Sequence, residues 1–311
     1  MKHLLKVTDL SIDEIREIFQ LAAKYKAERA KTPKTLAGES WGMLFYKNST
    51  RTRVSFEVGL FELGAHPLIL SASNTQISRG ESTADTARVL SRYLHGLIVR
   101  CYDHSLLEEF AEAGSIPIIN ALSDYSHPCQ ILADAFTLTE RWSHGSDPIE
   151  ALNGRRLAFL GDTNCNMANS WLLAGAHLGM DIALGGPESL APGEAVSQDL
   201  KKLGQDAQAN FTQNALEASE NADVVYTDVW VSMGAEADKA DRLNMLKPFQ
   251  VNAQVMGAAK DDALFLHCLP AHLGEEVSED VYEGPQSIVF DQAENRLHVQ
   301  KAILTVLGQA R

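Results

Sequence analysis

The sequence predicts an α/β protein with two doubly wound parallel-sheet domains of similar size that face each other across an interdomain cleft. Apolar runs of strand length alternate with amphipathic stretches of helix length along nearly the whole chain. Such alternation is typical of parallel sheets with helices on both faces. The chain of 311 residues is long for a single core, and a polar break with glycine and proline at 144–148 divides it into two halves.

These observations place the first domain at residues 1–143 and the second at 144–291, and we expect a closing helix at about 292–311 to pack back onto the first. The first helix, at about 10–30, begins with Ser11 and Glu14 in capping-box spacing. The first half further contains predicted strands at 41–46, 67–70, 97–101 and 116–122 and predicted helices at 54–63, 82–94, 106–113 and 127–142. The second half contains predicted strands at 156–161, 181–184, 222–228, 263–268 and 287–290 and predicted helices at 166–178, 193–204 and 294–307.

The composition is that of a soluble globular protein, with 45% hydrophobic and 22% charged residues. A formal net charge of -14 argues against nucleic acid as a partner, because nucleic-acid binding needs a basic face. The first residues lack the apolar core of a signal peptide, and no apolar stretch approaches the roughly 20 residues that span a membrane. The four cysteines form neither a disulfide framework nor a paired metal-ligand spacing. We therefore expect a cytoplasmic protein with no membrane contact.

The segment Ser-Thr-Arg-Thr-Arg at 49–53 joins a predicted strand to a predicted helix. Backbone N–H groups without a helical partner and the positive end of the helix dipole meet at such a turn and favour an anion. Three hydroxyl groups can donate further hydrogen bonds, and an arginine can hold two oxygens at once. The alternative is a capped helix with solvent-exposed arginines, but two arginines in a first turn oppose the helix dipole. The segment therefore predicts a phosphate-binding site.

Polar side chains also follow several predicted strands at their carboxyl ends, where ligands bind in sheets of this kind. Arg100 ends one strand, and His127 and Gln130 follow the next. Taken alone, Arg100 is equally compatible with a surface arginine, and an inert buried thiol is the usual interpretation of a cysteine such as Cys268. Arg100 and His127 share one edge of the predicted sheet with the turn at Ser49, and this common edge favours a site. The corresponding positions of the second half are 162–166, Asp228 and Cys268.

Five segments, in order and over nearly the whole chain, resemble the aspartate/ornithine transcarbamylase family. Ser-Thr-Arg-Thr-Arg at 49–53, Asp-Thr-Ala-Arg-Val-Leu-Ser-Arg at 85–92 and His-Pro-Cys-Gln at 127–130 are similar to its carbamoyl-phosphate half. Asp-Val-Trp-Val-Ser-Met-Gly at 228–234 and His-Cys-Leu-Pro-Ala at 267–271 are similar to its ornithine branch. The resemblance implies an enzyme that transfers the carbamoyl group of carbamoyl phosphate to the δ-amine of L-ornithine, giving L-citrulline and phosphate in arginine biosynthesis.

The resemblance makes residues 1–143 the carbamoyl-phosphate-binding domain. It implies that Arg100 and His127 approach the carbonyl oxygen and that Gln130 bonds the carbamoyl amide. Negative charge builds on that oxygen as the amine attacks, so positioned donors are the expected source of rate. The implied carbamoyl-phosphate-binding residues are Ser49, Thr50, Arg51, Thr52, Gln76, Arg100, His127, Gln130 and Arg296.

Residues 144–291 are correspondingly the ornithine-binding domain. Asp228 is implied to pair with the α-ammonium group, and Asn166 and the Met233 backbone to address the carboxylate. Cys268 orients the δ-amine without forming a covalent bond. The implied ornithine-binding residues are Asn166, Asp228, Ser232, Met233, Cys268 and Leu269. The residues expected to act in catalysis are Arg51, Arg100, His127 and Cys268, with no cofactor and no metal.

The resemblance also implies a homotrimer, or multiples of trimers. The polar loop 71–80 would reach the active site of a neighbouring subunit through Gln76. The loop 232–237, which contains Gly234, is similar to a mobile lid that closes over ornithine and excludes water.

Three departures from the family pattern and four alternative interpretations accompany this one. Cys165 stands in a changed run ahead of Asn166, so that assignment depends on the alignment, and Leu273 and Arg79 also differ from many relatives. Aspartate as the acceptor is disfavoured because that branch lacks the Ser-Met-Gly and Cys-Leu-Pro segments. Putrescine would leave the carboxylate binders unused, and an N-acylated ornithine would leave Asp228 unpaired. A non-catalytic relative should show a decayed phosphate turn, and none is visible.

Overall fold

The structure is a computed structural model and describes residues 2–206, 210–231 and 239–309. The chain divides into two compact units, one formed by Met1–Phe136 with Glu294–Arg311 and the other by Thr137–Ala293. Each unit holds one parallel β-sheet with helices, which confirms the predicted α/β class. The limits of the two functional domains given above stay a prediction.

The first unit is built on a four-stranded parallel sheet with the strand order β2-β1-β3-β4. Its strands are β1 (Ser40–Phe45), β2 (His66–Ser71), β3 (Gly96–Arg100) and β4 (Ile118–Leu122). Met43 of β1 lies opposite both Ile69 and Ile98. The strand β2 lies on one side of β1, whereas β3 and β4 lie on the other. The order in which the chain adds strands to the sheet therefore changes direction, and the switch point lies between β1 and β3. Ligands of doubly wound sheets bind at the carboxyl ends of strands at such a switch point.

The helices of the first unit follow the predicted alternation. They are α1 (Ile12–Ala27), α2 (Thr50–Glu62), α3 (Thr83–Leu90), α4 (His104–Ala113), α5 (Pro128–Trp142), which continues into the second unit, and the later part of α12 (Val289–Gln309). The predicted capping box of α1 is confirmed. The Ser11 Oγ accepts from the Glu14 N–H at 3.2 Å, and the Glu14 carboxylate accepts from the Ser11 N–H at 2.8 Å.

The second unit is built on a five-stranded parallel sheet with the strand order β7-β6-β5-β8-β9. Its strands are β5 (Arg156–Leu160), β6 (Asp181–Gly185), β7 (Phe211–Thr212), β8 (Val224–Thr227) and β9 (Leu264–His267). The switch point of this sheet lies between β5 and β8. The stacked rings of Phe159 and Tyr226, with centroids 5.6 Å apart, pack on these two central strands.

The remaining helices are mostly short. They are α6 (Asn166–Leu178), α7 (Glu194–Lys202), α8 (Ala215–Ser219), α9 (Lys239–Leu246), α10 (Ala253–Ala258) and α11 (Glu279–Tyr282). In the described part of the chain, no helix is both long enough and apolar enough to cross a bilayer.

The predicted strand at 287–290 is wrong. Ser287 forms only an isolated bridge with Phe265, and α12 already begins at Val289. An apolar run of four residues fits a short strand and the start of a buried helix equally well. Here the run begins a helix of 21 residues. Each residue that extends a helix adds one backbone hydrogen bond within the same segment, which favours the long helix over a short strand.

Candidate active site

The turn after β1 has the local structure that favours an anion. Ser49 is the N-cap of α2, and its Oγ accepts from the Thr52 N–H at 3.3 Å. The first turn of α2 therefore still presents backbone N–H groups that have no helical partner. The two arginines of this turn differ: Arg51 is half-buried, whereas Arg53 is exposed and ion-paired with Glu57 at 3.6 Å.

Thr52 joins the two most buried arginines of the first unit. Its hydroxyl oxygen accepts from an Nη of Arg100 at 3.3 Å and from an Nη of Arg296 at 3.1 Å. The side chains of both arginines are buried, and Thr52 is completely so. Two positively charged guanidinium groups are thus buried together beside the carboxyl ends of β1 and β3, an arrangement that suits an anionic ligand.

Gln130 is fixed by hydrogen bonds at both ends of its side-chain amide. Its Oε1 accepts from Arg296 at 2.7 Å, and its Nε2 donates to the buried Asp134 carboxylate at 2.8 Å. Gln130 and Asp134 are one helical turn apart in α5, so they lie on the same face of that helix. Because a carbonyl oxygen has two acceptor positions, the Gln130 Oε1 can accept a second N–H from a ligand.

His127 is buried immediately before α5. Burial, and then the nearby charges of Arg296 and Arg100, hold the pKa of the imidazole well below its ordinary value of 6.5. The ring is therefore neutral at physiological pH and has one N–H to donate. A neutral imidazole donor and the Arg100 guanidinium suit an oxygen on which negative charge develops.

We expect the free energy of unfolding to fall as the pH is lowered below about 6.5, the pKa of histidine in the unfolded chain. Since the pKa of His127 is depressed in the folded protein, its contribution is complete above that pH and is lost as the pH falls toward the folded pKa. His3 and His298, whose pKa values burial also lowers, add to the same trend. Urea unfolding of the parent chain and of His127→Gln measures the His127 share. The variant should lose less stability on acidification, and equal losses would contradict the assignment.

In the second unit, the segment after β5 leads directly into α6. Asn166 is the first residue of that helix, and Cys165 is its N-cap, with Sγ 3.5 Å from the Ala168 nitrogen. Asp162 accepts hydrogen bonds from the Arg242 guanidinium and from the Asn164 N–H. Burial raises the pKa of Asp162, and the Arg242 charge opposes this rise. Asp162 is thus committed to an ion pair within the protein.

Asp228 and Cys268 are brought together at the ends of the neighbouring strands β8 and β9. The Cys268 Sγ donates to an Asp228 Oδ at 3.0 Å, and the Val229 N–H donates to the same oxygen at 2.7 Å. The second Asp228 oxygen is not engaged by these two bonds. An α-ammonium group is the kind of ligand that a half-buried carboxylate at this position can pair with.

A buried polar network holds the segment after β9, and sequence reasoning missed it. The His267 Nδ1 accepts from the Leu269 N–H at 2.9 Å, and its Nε2 lies 3.2 Å from the Glu276 carboxylate. Nδ1 is therefore the acceptor, and Nε2 carries the proton. The His267 N–H donates to Gln292, which donates in turn to the Tyr226 hydroxyl. No local pattern in the sequence indicated this network, because Glu276 stands among other polar residues.

The structure gathers most of the predicted site residues into two groups, one in each unit. In the first unit, Gln76 stands apart from the others, on the exposed turn Gln76–Arg79. Ser232 and Met233, together with the predicted lid 232–237, lie outside the described residues. The first group contains Ser49, Thr50, Arg51, Thr52, Arg100, His127, Gln130 and Arg296, and the second contains Asn166, Asp228, Cys268 and Leu269.

Comparison with known proteins matches two successive parts of the chain to two models of one family. Residues 2–140 match the family model described as "Aspartate/ornithine carbamoyltransferase, carbamoyl-P binding domain". Residues 153–307 match the model described as "Aspartate/ornithine carbamoyltransferase, Asp/Orn binding domain".

Full-length relatives and solved structures agree with these matches. The ornithine carbamoyltransferase of Archaeoglobus fulgidus is 47% identical over 99% of this chain and 97% of its own length. The ornithine carbamoyltransferase of Carboxydothermus hydrogenoformans is 46% identical over 98% of this chain and 97% of its own length. The solved structure of the Pyrococcus furiosus enzyme superimposes with a TM-score of 0.87 at 44% identity, covering 97% of this chain and 96% of its own. The solved structure of the anabolic ornithine carbamoyltransferase of Campylobacter jejuni superimposes with a TM-score of 0.88 at 37% identity, covering 100% of both chains.

Proposed function

The chain belongs to the aspartate/ornithine carbamoyltransferase family, and from this premise we propose that it is an enzyme that forms L-citrulline and phosphate. It transfers the carbamoyl group of carbamoyl phosphate to the δ-amine of L-ornithine. The observation that carries the proposal is the cluster around Thr52, which places two buried guanidinium groups beside the start of a helix. The chain as a whole has a net charge of -14, so a dianionic substrate needs such a local positive field.

Carbamoyl phosphate binds with its phosphate at the start of α2. The backbone N–H groups there and the hydroxyls of Ser49, Thr50 and Thr52 donate to the phosphate oxygens. Arg51 clamps two of these oxygens, as a planar guanidinium group can. Phosphate is the leaving group, and charge-assisted bonds to it stabilise the charge that it gains as the C–O bond breaks.

The carbonyl oxygen of carbamoyl phosphate is held by Arg100 and the neutral imidazole of His127. When the ornithine amine attacks the carbonyl carbon, that oxygen becomes an oxyanion. One donor aimed at a developing oxyanion is typically worth about 3 kcal/mol of transition-state stabilisation. Gln130 accepts from the carbamoyl NH₂ through its remaining acceptor position, and Arg296 holds the Gln130 side chain in place.

Ornithine is recognised in the second unit by its amino-acid end. Asp228 pairs with the α-ammonium group, and Asn166, Ser232 and Met233 address the carboxylate. The side chain then carries the δ-amine toward Cys268 and the Leu269 carbonyl, which orient it. The Cys268 thiol donates its proton to Asp228, so the sulfur acts toward the amine as an acceptor. The δ-amine must be neutral to attack, and its proton goes to the departing phosphate or to water.

Ornithine is expected to be the best acceptor, because Asp228 and the carboxylate binders have partners only in a free α-amino acid. We expect kcat/KM for L-ornithine to exceed the values for putrescine and N-acetyl-L-ornithine by at least about 100-fold, since unpaired polar groups in a site discriminate strongly. Measurement of the three carbamoylated products in parallel tests this. Equal or better turnover of putrescine or of the acylated substrate would assign the chain to another acceptor.

The bisubstrate compound phosphonoacetyl-L-ornithine separates binding from catalysis. Tight binding in competition with carbamoyl phosphate, together with citrulline formation, is expected of the enzyme. Tight binding without citrulline formation would instead identify a non-catalytic relative that has kept both sites.

We also propose that the chain forms a homotrimer, or multiples of trimers, and works in the cytoplasm in arginine biosynthesis. Several large apolar side chains of the first unit are exposed, with Phe61 and Tyr93 exposed to 72% and 71%, as is common at association surfaces. Gln76 lies on an exposed turn that a neighbouring subunit can reach. Sedimentation that shows a monomer at catalytic concentrations would contradict this assembly.

A further inference from the structure

A tight turn at residues 272–277 follows the segment that carries Cys268 and Leu269. Gly274 has a positive φ of 85°, and its N–H donates to the Val277 carbonyl at 2.8 Å. The Gln250 side-chain amide donates to the carbonyls of both Gly274 and Glu275, at 3.0 and 2.8 Å. Hydrogen bonds thus hold the backbone of the turn on two sides, and they fix the positions from which its side chains extend.

Three side chains of this turn converge on one point. The His272 Nδ1 lies 3.7 Å from the Glu276 Oε2 and 4.0 Å from the Glu275 Oε2. The three residues can each offer one ligand atom so that these atoms lie within 4.8 Å of one another. The His272 side chain is 47% exposed, so its other ring nitrogen can face water. Lys239 contacts Glu275 through the opposite carboxylate oxygen, Oε1, at 3.3 Å, which leaves Oε2 directed toward His272.

Glu276 is the residue that indicates a cation. Its side chain is fully buried, and its Oε1 accepts from the His272 N–H at 2.6 Å and from the His267 Nε2 at 3.2 Å. Its Oε2 is buried without a hydrogen-bond partner, and the same holds for the Oε2 of Glu275. A buried carboxylate oxygen without a donor costs free energy unless a positive charge compensates it. Two such oxygens therefore lie beside an imidazole nitrogen.

We propose that His272, Glu275 and Glu276 form a binding site for a divalent transition-metal ion of the zinc type. One imidazole and two carboxylates are a donor set that Zn²⁺ accepts, and the two carboxylates balance its charge. Ligand atoms about 2.1 Å from a tetrahedral zinc ion are roughly 3.4 Å apart, so the observed separations need only side-chain adjustment. Ca²⁺ and Mg²⁺ are disfavoured because they prefer six or more oxygen ligands.

The site goes beyond the proposed function and is independent of it, because none of its three ligands binds either substrate. It is nevertheless joined to the ornithine residues by two hydrogen bonds: the His267 Nε2–H donates to Glu276, and the Leu269 N–H donates to the His267 Nδ1. A second group of possible ligands, Asp228, His267 and Cys268, lies in the proposed ornithine site. The two groups differ in one chemical respect: only the second contains a cysteine sulfur.

Titration of the purified full-length chain with Co²⁺ at about pH 7.5, followed by displacement with Zn²⁺, tests the proposal. We expect one Co²⁺ per chain with the visible absorption of a low-coordinate cobalt site and without a cobalt–thiolate charge-transfer band. His272→Ala should weaken this binding by more than about 100-fold, which exceeds the loss typical for an outer-shell partner. Glu275→Gln should also weaken it, and His66→Ala, which removes an exposed histidine of β2, should leave it unchanged.

Cys268→Ser separates the two groups of ligands. Co²⁺ binding that persists in Cys268→Ser and disappears in Cys268→Ser/His272→Ala supports the site at the turn. Binding that carries a thiolate band, disappears in Cys268→Ser and survives in His272→Ala would overturn the proposal in favour of the substrate site. Absence of Co²⁺ and Zn²⁺ binding in all proteins would also overturn it and would leave His272 and Glu276 as an ion pair. None of these outcomes depends on citrulline formation.

Discussion

Replacement of Arg51 by methionine is expected to lower kcat/KM for carbamoyl phosphate by roughly a thousandfold, which corresponds to about 4 kcal/mol. Arg51 lies in the first turn of α2, where the helix dipole already favours an anion. Its guanidinium group adds a charge-assisted clamp on the leaving phosphate. Methionine keeps much of the side-chain length and the helix propensity, so the loss should fall on phosphate binding and on the transition state.

Arg53 provides the matched control, because it lies in the same turn, two residues further on. Its side chain is 56% exposed and paired with Glu57, and an exposed pair of this kind is worth at most about 1 kcal/mol. Arg53→Met should therefore keep kcat/KM within about threefold of the parent value. Steady-state kinetics with carbamoyl phosphate varied, together with thermal unfolding of both variants, makes the comparison. Near-normal activity of Arg51→Met, or equal losses in the two variants, would contradict the anion-site assignment.

This comparison also distinguishes the two interpretations of the turn at 49–53, an anion-binding site and a capped helix with solvent-exposed arginines. Five residues at a strand-to-helix turn predict the N-cap at Ser49 and the helix that follows, because capping and helical periodicity are local properties. They do not show which arginine turns inward. The helical spacing of Val54, Val58 and Phe61 predicts the helix α2. It does not predict how the helix packs, since Val54 and Phe61 are exposed, whereas Phe56 and Leu60 are buried.

Most strands and long helices could be predicted because alternation and periodicity extend over enough residues to be recognised. The helices that escaped prediction were short: α8, α9, α10 and α11 have 5, 8, 6 and 4 residues. A helix of one or two turns shows too little periodicity to be recognised, and its stability comes from tertiary packing. The two-residue strand β7 is equally invisible in the sequence.

Long-range contacts within the site could not be predicted from local patterns. Arg296 reaches Thr52 and Gln130 across 244 and 166 residues of sequence. In the sequence it stands among polar residues in the first turn of the helix predicted at 294–307, where a solvent-exposed position is the usual outcome. Only the resemblance to a known family indicated Arg296. Nothing indicated the buried bonds from His267 to Glu276 and Leu269, because they depend on the path of the backbone after β9.

Replacement of Asp228 by asparagine is expected to raise the KM for ornithine by at least about 100-fold while the dissociation constant of carbamoyl phosphate changes little. Loss of the carboxylate removes the partner of the α-ammonium group and leaves that cation in a partly desolvated site without compensation. The fold should tolerate the change, because asparagine has nearly the same shape and its amide oxygen can still accept from the Val229 N–H and the Cys268 thiol.

Asp162 is a demanding control for this prediction, since it is a carboxylate close enough for the charge of Asp228 to influence its pKa. Asp162 is already paired with Arg242, so Asp162→Asn should lower the thermal stability instead of acting selectively on ornithine. Ornithine KM, carbamoyl-phosphate binding measured by calorimetry and thermal unfolding, determined for both variants, distinguish the two roles. Equal weakening of both substrates in Asp228→Asn would contradict a division of labour between the two units. A selective loss of ornithine in Asp162→Asn would move the α-ammonium partner from the end of β8 to the end of β5.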